Sequence, residues 1–138
     1  MITFKDFIQL NSKMSRSDII ADFIKFAQGE LQIESLPDLD INDDISRAKE
    51  MRTYGCYNPG EKTLWVYGKT KRNLGDLLRT LAHELTHHKQ NLENRLYAEA
   101  GETGSDIENE ANTQAAIIMR KYGQTNNGIY ESIRYEDI

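Results

Sequence analysis

The 138-residue chain has one cysteine, two prolines, one tryptophan and three histidines. A lone cysteine, Cys56, cannot form an internal disulfide, so nothing points to an oxidising compartment. No segment approaches the ~18 apolar residues of a membrane span. Lys5 and Asp6 fall where a secretion signal would carry its apolar region. Positive charge is not in excess either: 17 Lys and Arg stand against 22 Asp and Glu, a net charge of −5. That argues against a general nucleic-acid binder, which needs a basic footprint. The short basic run Lys69-Thr70-Lys71-Arg72 reads as a solvated loop before a helix. The acidic run over 34–46 reads as a solvated face, because it lacks the glycine and spacing of a calcium loop. The expectation is a cytoplasmic protein with no membrane or nucleic-acid partner. The length suits one domain over 1–138 with its core at about 15–122.

What is present is a pattern of elements typical of an α+β domain. Residues 2–9 suit a short amphipathic helix. A clearer helix follows, with Ser15 or Ser17 as cap and Ile20, Phe23, Ala27 and Leu31 recurring at helical spacing. Residues 34–46 read as a loop with a short strand at 39–41. The aromatic and β-branched runs 53–57 and 63–67 predict a β-hairpin, and Asn58-Pro59-Gly60-Glu61 between them suits a type II turn. Residues 73–94 predict the longest helix, capped by Asn73, with Leu74, Leu77, Leu78, Leu81, Leu85 and Leu92 as its apolar stripe. A last helix runs from about 106 to 122, capped by Ser105, with Ala111, Ala115, Ile118 and Tyr122 inward. Cys56 packs within its aromatic stretch.

The chemistry lies in His83-Glu84-Leu85-Thr86-His87. At about 3.6 residues per turn, His83 and His87 leave the same face of the helix one above the other, placed to hold one zinc ion. Glu84 is then positioned to take a proton from a water on the metal. At about 100° per residue both histidines lie roughly 200° from Leu85, away from the leucines. His88 shares the leucine face and reads as a packing or supporting residue. A zinc site with an open position takes three protein ligands. With the histidines used, a carboxylate or Cys56 must supply the third. Glu108 is the leading candidate, because a helix, a turn and a returning helix bring it back to the pair. Ser105-x-x-Glu108 is also a capping box, which would account for the glutamate without a metal. Glu110, Glu99, Glu102 and Asp106 stay open as alternatives. Ala111 shares the face of Glu108 and permits close helix approach, and Asn112 can accept a hydrogen bond from a ligand histidine.

On His83, Glu84, His87, Glu108, Ala111 and Asn112 the sequence resembles the Glu-zincins, and also the short intracellular HExxH proteins of the ImmA/IrrE type. The resemblance covers roughly 53–122, with Asn112 where many members have aspartate. It implies a minimal zincin-like fold, a small antiparallel sheet or hairpin packed on the HExxH helix and a second ligand-bearing helix. It further implies a zinc peptidase acting on a protein or peptide, with Glu84 as general base. An edge strand before the HExxH helix would pair with substrate; 63–67 is the candidate, with Trp65 or Tyr67 flanking the cleft. Tyr97, Tyr122 and Tyr130 are available to steady the oxyanion. Two other readings are a peptidase fold with a structural or regulatory zinc, and a cell-wall peptide hydrolase. Met1–Ile8 faintly resembles the capsid-targeting leader of large tailed phages, which would place the protein in a host cytoplasm or virion.

Overall fold

The computed structural model describes residues 15–68, 72–96 and 105–126. The expected helix at 2–9, the leader reading and the C-terminal tail lie outside the described residues, as does the greater part of 95–104.

Helix α1, Arg16–Leu31, starts at a reciprocal cap. The Asp18 amide donates to Ser15 Oγ and the Ser15 amide donates to the Asp18 carboxylate, both at 3.1 Å. Its buried face is Ile19, Phe23, Ile24, Ala27 and Leu31, while Ile20 is only half-buried. Strand β1, Asp38–Asn42, leads to α2, Ile45–Met51. The sequence reading has no helix there: α2 is short and buries only Ala48, too little to mark an apolar stripe. Strands β2, Gly55–Asn58, and β3, Thr63–Tyr67, form the expected antiparallel pair. Their turn differs from the type II expectation. Gly60 does not take the positive φ that type II requires; Lys62 does, at 54°. The Asn58 side chain closes the loop by accepting from the Glu61 amide at 3.1 Å. Helix α3, Leu74–Leu92, is capped by Asn73, and α4, Asp106–Thr125, by Ser105.

The sheet is mixed, not wholly antiparallel as expected. Its order is β1-β3-β2, with β1 parallel to β3 in the register Leu39 opposite Leu64. This puts β3 in the centre, correcting its assignment as an edge strand. Leu64 and Val66 face α3, α1 and α4 in the main core, whereas Trp65 and Tyr67 face α2 on the other side. Cys56 packs in that second cluster, and the Arg47 guanidinium lies 4.7 Å from the centre of the Trp65 ring.

Leu74, Leu77, Leu78, Leu81 and Leu85 are buried in the main core, each worth roughly 1.5–3 kcal/mol of hydrophobic stabilisation. Leu92 is 38% exposed, because the stripe leaves the core before the helix ends. Tyr122 stacks on Phe23 and its hydroxyl donates to Asp22 at 2.8 Å, tying α4 to α1. Arg72 corrects the reading of the basic run as solvated. Its side chain is 8% exposed, donates to the Tyr67 carbonyl and Thr80 Oγ1 at 2.7 Å each, and packs over Tyr54. Lys69 to Lys71 lie outside the described residues. No helix among the described residues is long and apolar enough to cross a membrane.

Candidate metal centre

The site forms where α4 returns along α3. Helix α3 shows its leucines to the core and turns His83 and His87 toward α4. The two Nε2 atoms are 3.2 Å apart and the rings are nearly perpendicular. Glu108, on the first turn of α4, brings Oε1 to 2.6 Å from His83 Nε2 and Oε2 to 3.2 Å from His87 Nε2. The capping-box alternative is half realised: Ser105 Oγ accepts from the Glu108 amide at 3.1 Å, while the Glu108 carboxylate turns to the histidines. Ala111 is fully buried three residues on, and its methyl lets the two helices approach. Asn112 lies close enough to His83 to favour its charged form.

A tetrahedral zinc site with arms of about 2.0–2.1 Å has edges of about 3.3 Å between ligand atoms. The two nitrogens, 3.2 Å apart, match such an edge, and the carboxylate meets them through separate oxygens, Oε1 at 2.6 Å from His83 and Oε2 at 3.2 Å from His87. Two imidazoles and one carboxylate are a donor set that zinc accepts. Burial and the neighbouring His87 hold the His83 pKa below its usual value, against the opposing pull of Glu108 and Asn112. That favours the neutral imidazole, the form that binds metal. Among the described residues this is the one group of three or more His, Cys, Asp or Glu side chains so converging.

Glu84 sits beside the cluster and is only 8% exposed. Burial, helped by the negative charge of Glu108, pushes its carboxyl up to about 8. Part of that burial comes from β2. A Cβ on Gly55 would lie 2.4 Å from Thr80 Cγ2 and 3.5 Å from Glu84 Cγ, so only glycine lets the strand come this close to α3. The edge strand beside the cluster is therefore β2; β3 has partners on both sides and cannot pair with a further strand. Trp65 and Tyr67, on the far face of the sheet, do not flank the site. A groove of about 670 Å³ on that far face is lined by Asp40, Arg47, Met51 and Trp65 and includes none of the cluster residues.

The alternative ligands are placed elsewhere. Glu110 pairs with Arg95 at 2.6 Å and accepts from Gln90 at 3.2 Å. Cys56 lies in the Trp65 cluster and Asp106 is exposed. Glu99 and Glu102 lie outside the described residues. Of the tyrosines considered for the oxyanion, Tyr122 is locked in the core and Tyr97 and Tyr130 lie outside the described residues. His88 is a buried packing residue. It is 1% exposed, its Nε2 donates to the Ser35 carbonyl at 3.0 Å, and its Nδ1 accepts from the Tyr57 hydroxyl at 2.7 Å. Asn91 donates to the same Tyr57 oxygen and to the Pro59 carbonyl, at 2.9 Å each. Sequence reasoning missed Gln90, whose Oε1 lies 2.8 Å from His87 Nδ1. Its spacing of three from His87, on the same helix face, was the available signal.

No family model, curated protein or solved structure matches the chain.

Proposed function

We propose that the chain is a zinc-dependent peptidase with a minimal zincin-like fold, in which His83, His87 and Glu108 hold the metal and Glu84 is the general base. The observation that carries the reading is the meeting of two histidines from one helix with a carboxylate from another, beside a buried glutamate. Bound zinc would lower the pKa of a coordinated water and polarise the scissile carbonyl. The positive charge of a bound metal would favour the Glu84 carboxylate, the form that takes the proton from the attacking water and returns it to the leaving amine. The low exposure of Glu84 keeps bulk solvent away from the carboxyl during both transfers. Asn112, close to His83, steadies that imidazole. A protein or peptide substrate pairs its extended backbone with the outer edge of β2, unpaired among the described residues, which passes beside Glu84 at Gly55.

The test is hydrolysis of a diverse peptide library by zinc-loaded protein, read by mass spectrometry. Glu84→Gln is expected to keep zinc and lose cleavage. Cleavage that survives in Glu84→Gln would contradict the assignment of the base.

A further inference from the structure

Gln90 is fully buried, polar, and bonded on both ends of its amide. Its Nε2 donates to the Ile107 carbonyl at 3.1 Å and to Glu110 Oε1 at 3.2 Å. Both partners only accept, so the amide nitrogen must face them. Turning the amide over would set its oxygen against a carbonyl and a carboxylate, lone pair against lone pair, and lose both hydrogen bonds. Glu110 is itself held by Arg95, which donates to its two oxygens at 2.9 and 2.6 Å. The only atom that Gln90 can then offer His87 is Oε1, 2.8 Å from Nδ1. An amide oxygen only accepts. His87 thus donates from Nδ1 to Gln90 at 2.8 Å, a shorter contact than the 3.2 Å from Nε2 to the competing acceptor Glu108 Oε2, and in the neutral ring this leaves the Nε2 lone pair directed at His83 and Glu108.

We infer that Gln90 is a positioning residue that fixes His87 as its Nδ1–H tautomer, with Glu110 and Arg95 holding the Gln90 amide in the one orientation that does so. The neutral imidazole in water favours the other tautomer, with Nε2 protonated and blocked as a ligand. Gln90, the nearer of the two acceptors, shifts the balance away from that competitor before any metal arrives. It also fixes the ring plane, the role that a carboxylate or main-chain carbonyl commonly fills beside a metal-binding histidine. Glu110 thus serves the site two contacts away from it, as the anchor of the residue that sets the tautomer. The inference rests on the reading of His83, His87 and Glu108 as a metal centre.

The experiment uses the full chain, stripped of metal with a chelator, at a pH above the histidine pKa values. Two-dimensional ¹H–¹⁵N spectra that correlate ring nitrogens with ring carbon protons report which nitrogen of His87 is protonated. The expected result is Nδ1–H in the wild type and loss of that preference in Gln90→Leu. Zinc affinity, read by competition with a chromophoric chelator, is expected to fall about 10–100-fold in Gln90→Leu, with the circular dichroism spectrum unchanged. Glu110→Ala, at a partly exposed position, is expected to weaken the preference and the affinity by a smaller factor; it takes the place of Gln90→Leu if that variant does not fold. Wild-type His87 with its proton on Nε2 would overturn the tautomer assignment and leave the metal centre standing. A wild-type chain that binds no zinc would overturn the metal centre and the affinity half of the inference, whatever the tautomer. Undiminished zinc affinity in a variant that has lost the Nδ1–H preference would overturn the link between the two.

Discussion

Glu84 makes the metal-free protein lose stability as the pH rises, and Glu84→Gln removes that loss. The folded carboxyl holds its proton up to about pH 8, against an ordinary value of 4.5, because burial and Glu108 both oppose its charge. The unfolded chain releases the same proton near the ordinary value. Between the two, the folded state binds more protons, so unfolding becomes easier with each step up in pH. This contribution is fully present below the unfolded pKa and is gone above the folded one. The slope for one group is about 1.4 kcal/mol per pH unit. A window of this width gives an upper bound of about 5 kcal/mol, and relaxation around the charged form brings the expected effect to about 2–5 kcal/mol. Glutamine has the shape of the protonated acid and does not titrate. Urea denaturation of chelator-treated wild type and Glu84→Gln at pH 5, 6.5 and 8 provides the assay. The two proteins should be close at pH 5, and the variant should be the more stable by a growing margin toward pH 8. Other titrating groups act in both proteins and cancel in the difference. Parallel curves across this range would refute the account of Glu84 as a buried neutral acid.

Two further predictions concern the supports of the site. Gly55→Ala sets a methyl against Thr80 Cγ2, and Thr80 cannot rotate away without losing Arg72 and the Asp76 carbonyl from its hydroxyl. Thermal unfolding is expected to show a loss of about 1–3 kcal/mol, and Thr80→Ser, which deletes the opposing methyl and keeps the hydroxyl, is expected to restore most of it. No rescue by Thr80→Ser would mean that the crowding lies elsewhere. Tyr57→Phe leaves His88 Nδ1 without its donor and Asn91 with one partner fewer; urea denaturation should register about 1–2 kcal/mol of destabilisation, and a variant of unchanged stability would show that this network contributes nothing.

The histidine pair was legible because it needs only one helix: spacing places both rings on one side and the leucines on the other. The carboxylate that joins them was harder to read. A glutamate three residues after a serine serves a cap or a metal equally well in sequence, and only the return of α4 along α3 brings its carboxylate to the two histidines. The same return separates Glu108 from Glu110, since a rotation of two residues carries the latter's carboxylate over to Arg95. The central place of β3 comes from its parallel pairing with β1, a contact between segments 25 residues apart that no local pattern fixes. One clue was present. Leu64-Trp65-Val66-Tyr67 is apolar without alternation, which suits a strand covered on both faces and hydrogen-bonded on both sides. Helix α2 left no comparable trace, because one buried alanine gives no periodicity.

The account stands most directly on whether one zinc ion binds to His83, His87 and Glu108. Native mass spectrometry of the wild type and of His83→Ala, His87→Ala and Glu108→Ala, each exchanged into the same zinc-containing volatile buffer, counts the bound ions. One zinc per wild-type chain, and its loss or strong depletion in all three variants, is the predicted result. A wild type without stoichiometric zinc, or a Glu108→Ala variant that holds zinc as fully as the wild type, would contradict it.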